Sequence, residues 1–242
     1  MTAATRVDEI ADGLYRISTE LPGAGPTGFT FNQYLLVDDA PLLFHTGMRR
    51  IFPAVRDAVA RVLPPERLRY LAFSHFEADE CGSLNEWLAA APAAEPLCGR
   101  IAALTSVADV ADRPPRVLAD GEALSLGRST VRWIDTPHVP HAWECGFLHE
   151  ERTGALLCGD LFTQGGLGHP PLTEGDILGP SEAVRARMGY FVASTNTGAM
   201  LERLARLEPG TLACMHGSAW RGRGGALLRE LAAILARERA RA

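Results

Sequence analysis

Three short apolar runs in this chain each end in a side chain able to hold a cation. They read YLAFSH (Tyr70–His75), ALLCGD (Ala155–Asp160) and TLACMH (Thr211–His216). A continuous apolar run of this length, without polar alternation, is the pattern of a strand covered on both faces. Strands of that kind need helices over their sheets. Ligand-type residues at strand ends along one rim then meet in space although they lie far apart in sequence. A fourth segment, TPHVPHAWE (Thr136–Glu144), adds His138 and His141.

The first run continues into SHFEADECGS, which sets His75, Glu77, Asp79 and Glu80 within six residues. If this stretch is extended, alternate residues share a face. His75 and Glu77 would then serve one ion, and Asp79 would reach a second. Asp160 would bridge the two ions, with His216 and a histidine of the fourth segment completing the shells. Such a set leaves coordination positions for water or substrate. Taken singly, each of these residues has an ordinary explanation. Acids collect at helix starts because the helix dipole favours them there, and that alone would account for Glu80. The pattern is informative as a set.

The remaining sequence fits such a frame. GLYRIST, QYLLVD and APLLFHTG read as strands, and Phe52, Val55, Val59, Val62 and Leu63 recur at helical spacing before Pro64-Pro65. SLNEWLAAA reads as a helix, and PLCG, RVLAD and STVRWIDT as short strands. CGFLHEERTGALLCGD reads as two strands about a polar turn, and Gln164 to Pro180, rich in Gly and Pro, as a loop. Helices are expected from Thr197 to Leu207 and along the closing segment with Leu227, Leu228, Leu231, Ile234 and Leu235 on one face. Two runs of strands, each with helices, imply an α+β fold: a four-layer αββα sandwich forming one domain over residues 1–242.

Composition removes several classes of function. The chain has 242 residues and a net charge of -5, so no general basic field favours nucleic acid. No apolar run is long enough to span a bilayer, and the start has no signal-peptide pattern. Five scattered cysteines without a CxxC pair point to free thiols, a reducing compartment and a cytoplasmic location. Cys81, near Asp79 at an expected helix start where a thiolate is favoured, reads first as a small buried residue, with a redox role as the alternative.

At these residues the chain resembles the metallo-β-lactamase superfamily, whose motif is HxHxDH followed by His, Asp and His. Glu77 replaces the middle histidine, and that HxExD variant resembles the diiron branch of flavodiiron and oxygen-binding diiron proteins. FNQYLLVDDAPLLFHTG near the start and MHGSAW near the end are similar to the family's opening and closing segments. The resemblance implies the metallo-β-lactamase fold and two iron ions. His75, Glu77 and His141 would take one, Asp79 and His216 the other, and Asp160 would bridge. The family's spacing to Asp160 selects His141 over His138. Two departures stand out. The sixth motif residue, often a histidine ligand, is Glu80, which implies an open second site unless Glu80 turns inward, and makes Glu80 a candidate catalytic residue. His45 stands where the superfamily usually has Asp, and reads as a hydrogen-bonded turn residue. Flavodiiron proteins carry a flavodoxin-like domain after the metal domain. None is read here, and GGLG (Gly165–Gly168) lacks a P-loop lysine, so no FMN is expected on this chain.

Ligand type argues for iron, because carboxylate-rich N/O sites with open positions suit iron or manganese while imidazole-rich sites often suit zinc. The expected function is binding, and reduction, of O2 or NO at a dinuclear iron site. Two other readings stay open. One is a dinuclear-metal hydrolase of an ester, thioester or phosphodiester; the other is a non-catalytic O2 sensor acting through a protein partner. An external electron donor or signalling partner is implied, no nucleic-acid or membrane partner is, and a homo-oligomer is compatible with the sequence. Phe76, Trp143 and Phe162 flank these ligands in sequence; core packing is the first expectation for them and a place in the pocket wall the alternative.

Overall fold

Along Phe29–Leu36 successive side chains leave for different layers. Phe31 and Leu35 join one apolar cluster, Tyr34 and Leu36 another. The same split recurs at Leu42–Phe44, where Leu43 goes one way and Leu42 and Phe44 the other, and at Ala155–Leu157, where Leu156 parts from Ala155 and Leu157. Period-two alternation with both faces apolar requires something to cover each face. In the computed structural model, which describes residues 5–240, those covers are a second sheet on one side and helices on the other.

The first sheet holds seven strands in chain order: β1 (Thr5–Ala11), β2 (Leu14–Leu21), β3 (Phe29–Leu36), β4 (Leu42–Phe44), β5 (Tyr70–Ala72), β6 (Glu95–Gly99) and β7 (Arg116–Leu118). Pairing is antiparallel through β4 and parallel from β4 to β7. The second sheet holds β8 (Ala123–Ser125), β9 (Thr130–Asp135), β10 (Gly146–Glu150), β11 (Ala155–Leu157), β12 (Leu172–Thr173), β13 (Thr211–Ala213) and β14 (Ala219–Arg221), in the order β12-β14-β13-β11-β10-β9-β8. Trp133, Leu148, Leu157 and Ala213 face Tyr34, Leu42, Phe44 and Leu97 between the sheets. Helices Phe52–Val59 and Leu84–Ala90 cover the first sheet through Val55, Val59, Trp87 and Leu88. Helices Thr197–Ala205 and Gly224–Arg239 cover the second through Leu201, Leu204, Leu228 and Leu231. This is the expected four-layer αββα order.

Several elements go beyond the sequence reading. The Gln164–Pro180 stretch contains β12, and a helix, Leu178–Met188, starts inside it with Pro180 in its first turn, where proline is tolerated. Only Ser181 and Val184 of that helix are buried, too few to give a readable periodicity. Gly189, with φ of 63°, stops it in the left-handed region, its N–H donating to the Arg185 carbonyl. β1 is mostly half-exposed and charged, so its strand character comes from pairing with β2. Among the described residues the five cysteines are free and buried, and no helix is long and apolar enough to cross a membrane.

Candidate metal centre

β5, β11 and β13 stop at Ala72, Leu157 and Ala213, and each is followed three residues later by His75, Asp160 and His216. β11 and β13 are parallel neighbours, so Asp160 and His216 leave the second sheet side by side. His75 leaves the facing sheet, tied across by the Gly146 N–H donating to the Ser74 carbonyl. His141 arrives from the connection between β9 and β10.

The SHFEADE segment is not extended throughout. Glu77 is extended, with φ -131° and ψ 164°, and a single helical turn follows at Ala78–Cys81. Strict alternation would turn Asp79 inward and Glu80 away. A helical turn instead advances about 100° per residue, so Asp79 and Glu80 both flank the centre. Glu80 is completely buried and groups with His75 and Glu77 on one side and with Asp79 and His216 on the other. Of the two outcomes the sequence leaves for Glu80, the inward one is found: its carboxylate turns into the place of the missing histidine.

The structure brings all seven candidates together. His75 Nε2 lies 2.9 Å from His141 Nε2 and 3.6 Å from both Glu77 Oε1 and Asp160 Oδ2. His141 Nε2 lies 3.2 Å from Glu77 and 3.4 Å from Asp160 Oδ2. His216 Nε2 lies 3.3 Å from Asp160 Oδ1 and 3.5 Å from Asp79 Oδ2. Asp160 thus turns one oxygen to each histidine group. His216 is aimed by its Nδ1, 2.9 Å from the Thr30 carbonyl.

Electrostatics are set by the same crowding. Burial alone would lower the His75 imidazole, but Glu80, Glu77 and Asp160 raise it. Burial likewise opposes His216, which Asp160 and Asp79 raise. His141 and His75 hold the Glu77 carboxyl down at about 2. Burial pushes Asp160 up, but His216, His75 and His141 bring it below the usual carboxylate range. Glu80 goes the other way: burial, then the neighbouring Asp160, push it well above that range.

These residues fit a pair of metal ions. Both Glu80 oxygens and Asp160 Oδ1 are buried without a hydrogen-bond partner among the described residues. Buried carboxylate oxygens normally have partners. Two Nε2 atoms at 2.9 Å with carboxylates around them present lone pairs to one point, which a cation would satisfy. A cavity of about 320 Å³ opens onto this centre, lined by Phe29, Thr163, Met188 and Tyr190 together with Glu77, Asp79, His141, Asp160 and His216. A larger groove, about 580 Å³, beside the last helix contains none of them.

Sequence reasoning missed the cavity wall. Tyr190 donates its hydroxyl to the Asp160 carbonyl at 3.2 Å and stacks edgewise on His141. It follows the unforeseen Leu178–Met188 helix, so no signal pointed to it. Of the flanking aromatics, only Phe162 packs in the core; Phe76 and Trp143 are exposed. His138 turns its main chain to the Ala142 carbonyl and stays outside the ligand groups. His45 is a fully buried turn residue with φ of 66°. Cys81 is buried against the Glu77 carbonyl, and burial pushes its thiol up, in keeping with a small buried residue and not with the thiolate alternative.

Comparison with known proteins agrees with this architecture. A rubredoxin-oxygen oxidoreductase from Megalodesulfovibrio gigas is 30% identical over 143 residues, 57% of this chain and 35% of that protein. A nitric oxide reductase from Moorella thermoacetica is 27% identical over 139 residues, again 57% of this chain and 35% of the relative. The match therefore spans about a third of those relatives' length. The crystal structure of the flavodiiron protein from Giardia intestinalis superposes with a TM-score of 0.85 at 17% identity, covering 95% of this chain and 59% of that one. The model of the ODP family beta lactamase matches residues 29–217. That span runs from the strand carrying Phe29 to the turn after His216 and takes in every candidate ligand, and the chain belongs to this family.

Proposed function

We propose that this chain holds two iron ions and uses them to bind and reduce O2 or NO. His75, Glu77 and His141 would hold one ion, Asp79, Glu80 and His216 the other, with Asp160 between them. The observation that carries the reading is Glu80. A fully buried carboxylate with neither oxygen hydrogen-bonded is costly unless a cation meets it. Four carboxylates (Glu77, Asp79, Glu80, Asp160) match the charge of two divalent ions and favour iron over zinc. When bound, a ferrous pair supplies two electrons to a small diatomic ligand.

The chain's own groups define what reaches that pair. Phe29, Met188 and Tyr190 give the cavity a largely apolar wall, suited to an uncharged diatomic and unsuited to a phosphodiester. No lysine or arginine lines it. Tyr190, its hydroxyl tied to the Asp160 main chain, packs edgewise against His141 on one side of the cavity. Relatives named for oxygen and nitric oxide support the same choice of substrate. Electrons would come from a redox partner or group beyond the metal-binding fold. The test is anaerobic loading with ferrous iron, then mixing with O2 or NO while following gas consumption. Consumption proportional to bound iron is expected. Inertness to both gases, with rapid ester or phosphodiester cleavage by the zinc-loaded protein, would replace this reading with the hydrolase.

A further inference from the structure

His45 and Ser74 lie behind the centre, unused by the ligand scheme. Both are buried. Ser74 Oγ lies 2.9 Å from His75 Nδ1 and 3.1 Å from His45 Nε2. We propose that His45, acting through Ser74, is a positioning residue that fixes the ring and tautomer of His75 for metal binding. The inference rests on the reading of His75 as a ligand.

Proton placement follows from counting donors. His75 faces Glu77, Asp160 and His141 with Nε2, so ligation there puts its proton on Nδ1. That N–H donates to Ser74 Oγ. The serine has one proton of its own, and the other recorded partner of Oγ is His45 Nε2. If that nitrogen accepts, His45 carries its proton on Nδ1, and every group from His45 to the metal position has one direction. The reverse order puts a proton on His75 Nε2 and blocks the ion. Full burial disfavours the charged form of the His45 ring, and a neutral imidazole has one proton to place. The Asn32 main chain favours a proton on the ring, although Nδ1 has no formed hydrogen bond.

The backbone holds the relay in register. His45 is in the left-handed region, which His tolerates better than most side chains. Its N–H donates to the Ala72 carbonyl at 2.8 Å, and its ring lies 4.3 Å from that of Phe44. The next residue, Thr46, donates its N–H to the Glu80 carbonyl at 2.6 Å. One turn therefore sets both His75 and the main chain bearing Glu80. A neutral partner also makes sense by charge. The four ligand carboxylates already balance two divalent ions, and an acid at position 45 would add an unbalanced buried charge.

The test uses the full chain loaded with zinc, which is diamagnetic. Nitrogen-15 labelling of histidine reads tautomers directly. Expected are a metal-shifted Nε2 and protonated Nδ1 at His75, and a protonated Nδ1 with acceptor Nε2 at His45. Chelator competition gives zinc affinity for the wild type, Ser74→Ala, His45→Asn and the double variant. Asn tolerates the left-handed backbone but is too short to reach Ser74. Each single variant should weaken one zinc ion by about tenfold or more, and the double variant no further, because both act through one chain. A metal-bound His75 with the proton on His45 Nε2, or unchanged affinity in both single variants, overturns the relay alone. A His75 Nε2 unshifted by zinc overturns the ligand reading and the relay with it.

Discussion

Glu80 sits at zero exposure with neither carboxylate oxygen hydrogen-bonded and His75 Nε2 still 3.9 Å away, so in the metal-free protein its burial is poorly compensated. Glu80→Gln should stabilise the metal-free chain at neutral pH by about 1–3 kcal/mol, read as a higher melting temperature. The same change should lose one of two bound ions, so that added metal raises the melting temperature less than in the wild type. A variant destabilised without metal would show that the protein itself satisfies this carboxylate. Glu77 tests selectivity. Glu77→His makes the site richer in imidazole and should shift loading from iron toward zinc in anaerobic competition at equal concentrations. An unchanged ratio would mean that Glu77 does not set the preference. Chain pattern revealed which residues to suspect but not the direction of Glu80. That direction depends on one helical turn at Ala78–Cys81, too short to leave a periodic signal.

The elements that deliver ligands were readable because each is a strand buried on both faces and ended by a polar residue. Tyr70–Ala72, Ala155–Leu157 and Thr211–Ala213 are such strands. What was not readable takes its form from tertiary contact: β1 from its pairing, and Leu178–Met188 from one small buried patch. The β10–β11 hairpin shows how a charge within a core element is kept. Glu150 is fully buried yet accepts from the Ser129 and Thr153 hydroxyls and from the Arg152 and Thr153 N–H groups at 2.8 Å. Burial pushes its carboxyl up, but these donors bring it below the usual range. A lowered folded-state value adds stability that is present above the unfolded value and is lost as pH falls through the folded one. Glu150→Gln should therefore cost about 1–3 kcal/mol at neutral pH, with the deficit shrinking in acid. Denaturant midpoints across that range check it. A deficit constant with pH would mean that the carboxylate charge plays no part. Gly159, at φ of 51°, lies in the turn after β11; a Cβ there would lie 2.8 Å from Ser74 Oγ, so the Asp160 turn and the His75 loop pack too closely for alanine.

At the scale of the whole molecule, two seven-stranded sheets bring four distant segments to one rim, and the seven candidate ligands come from both sheets. The family match runs from Phe29 to Gly217 and so ends with the ligand-bearing rim. The central claim is that one carboxylate, Asp160, ties two ions into a single centre, since its two oxygens face different histidines. Iron bound per chain after anaerobic reconstitution, compared between the wild type and Asp160→Ala, tests it most directly. The account predicts two ions in the wild type and loss of both together in the variant, because the bridge also offsets their mutual repulsion. An Asp160→Ala protein that keeps two tightly held ions would contradict it.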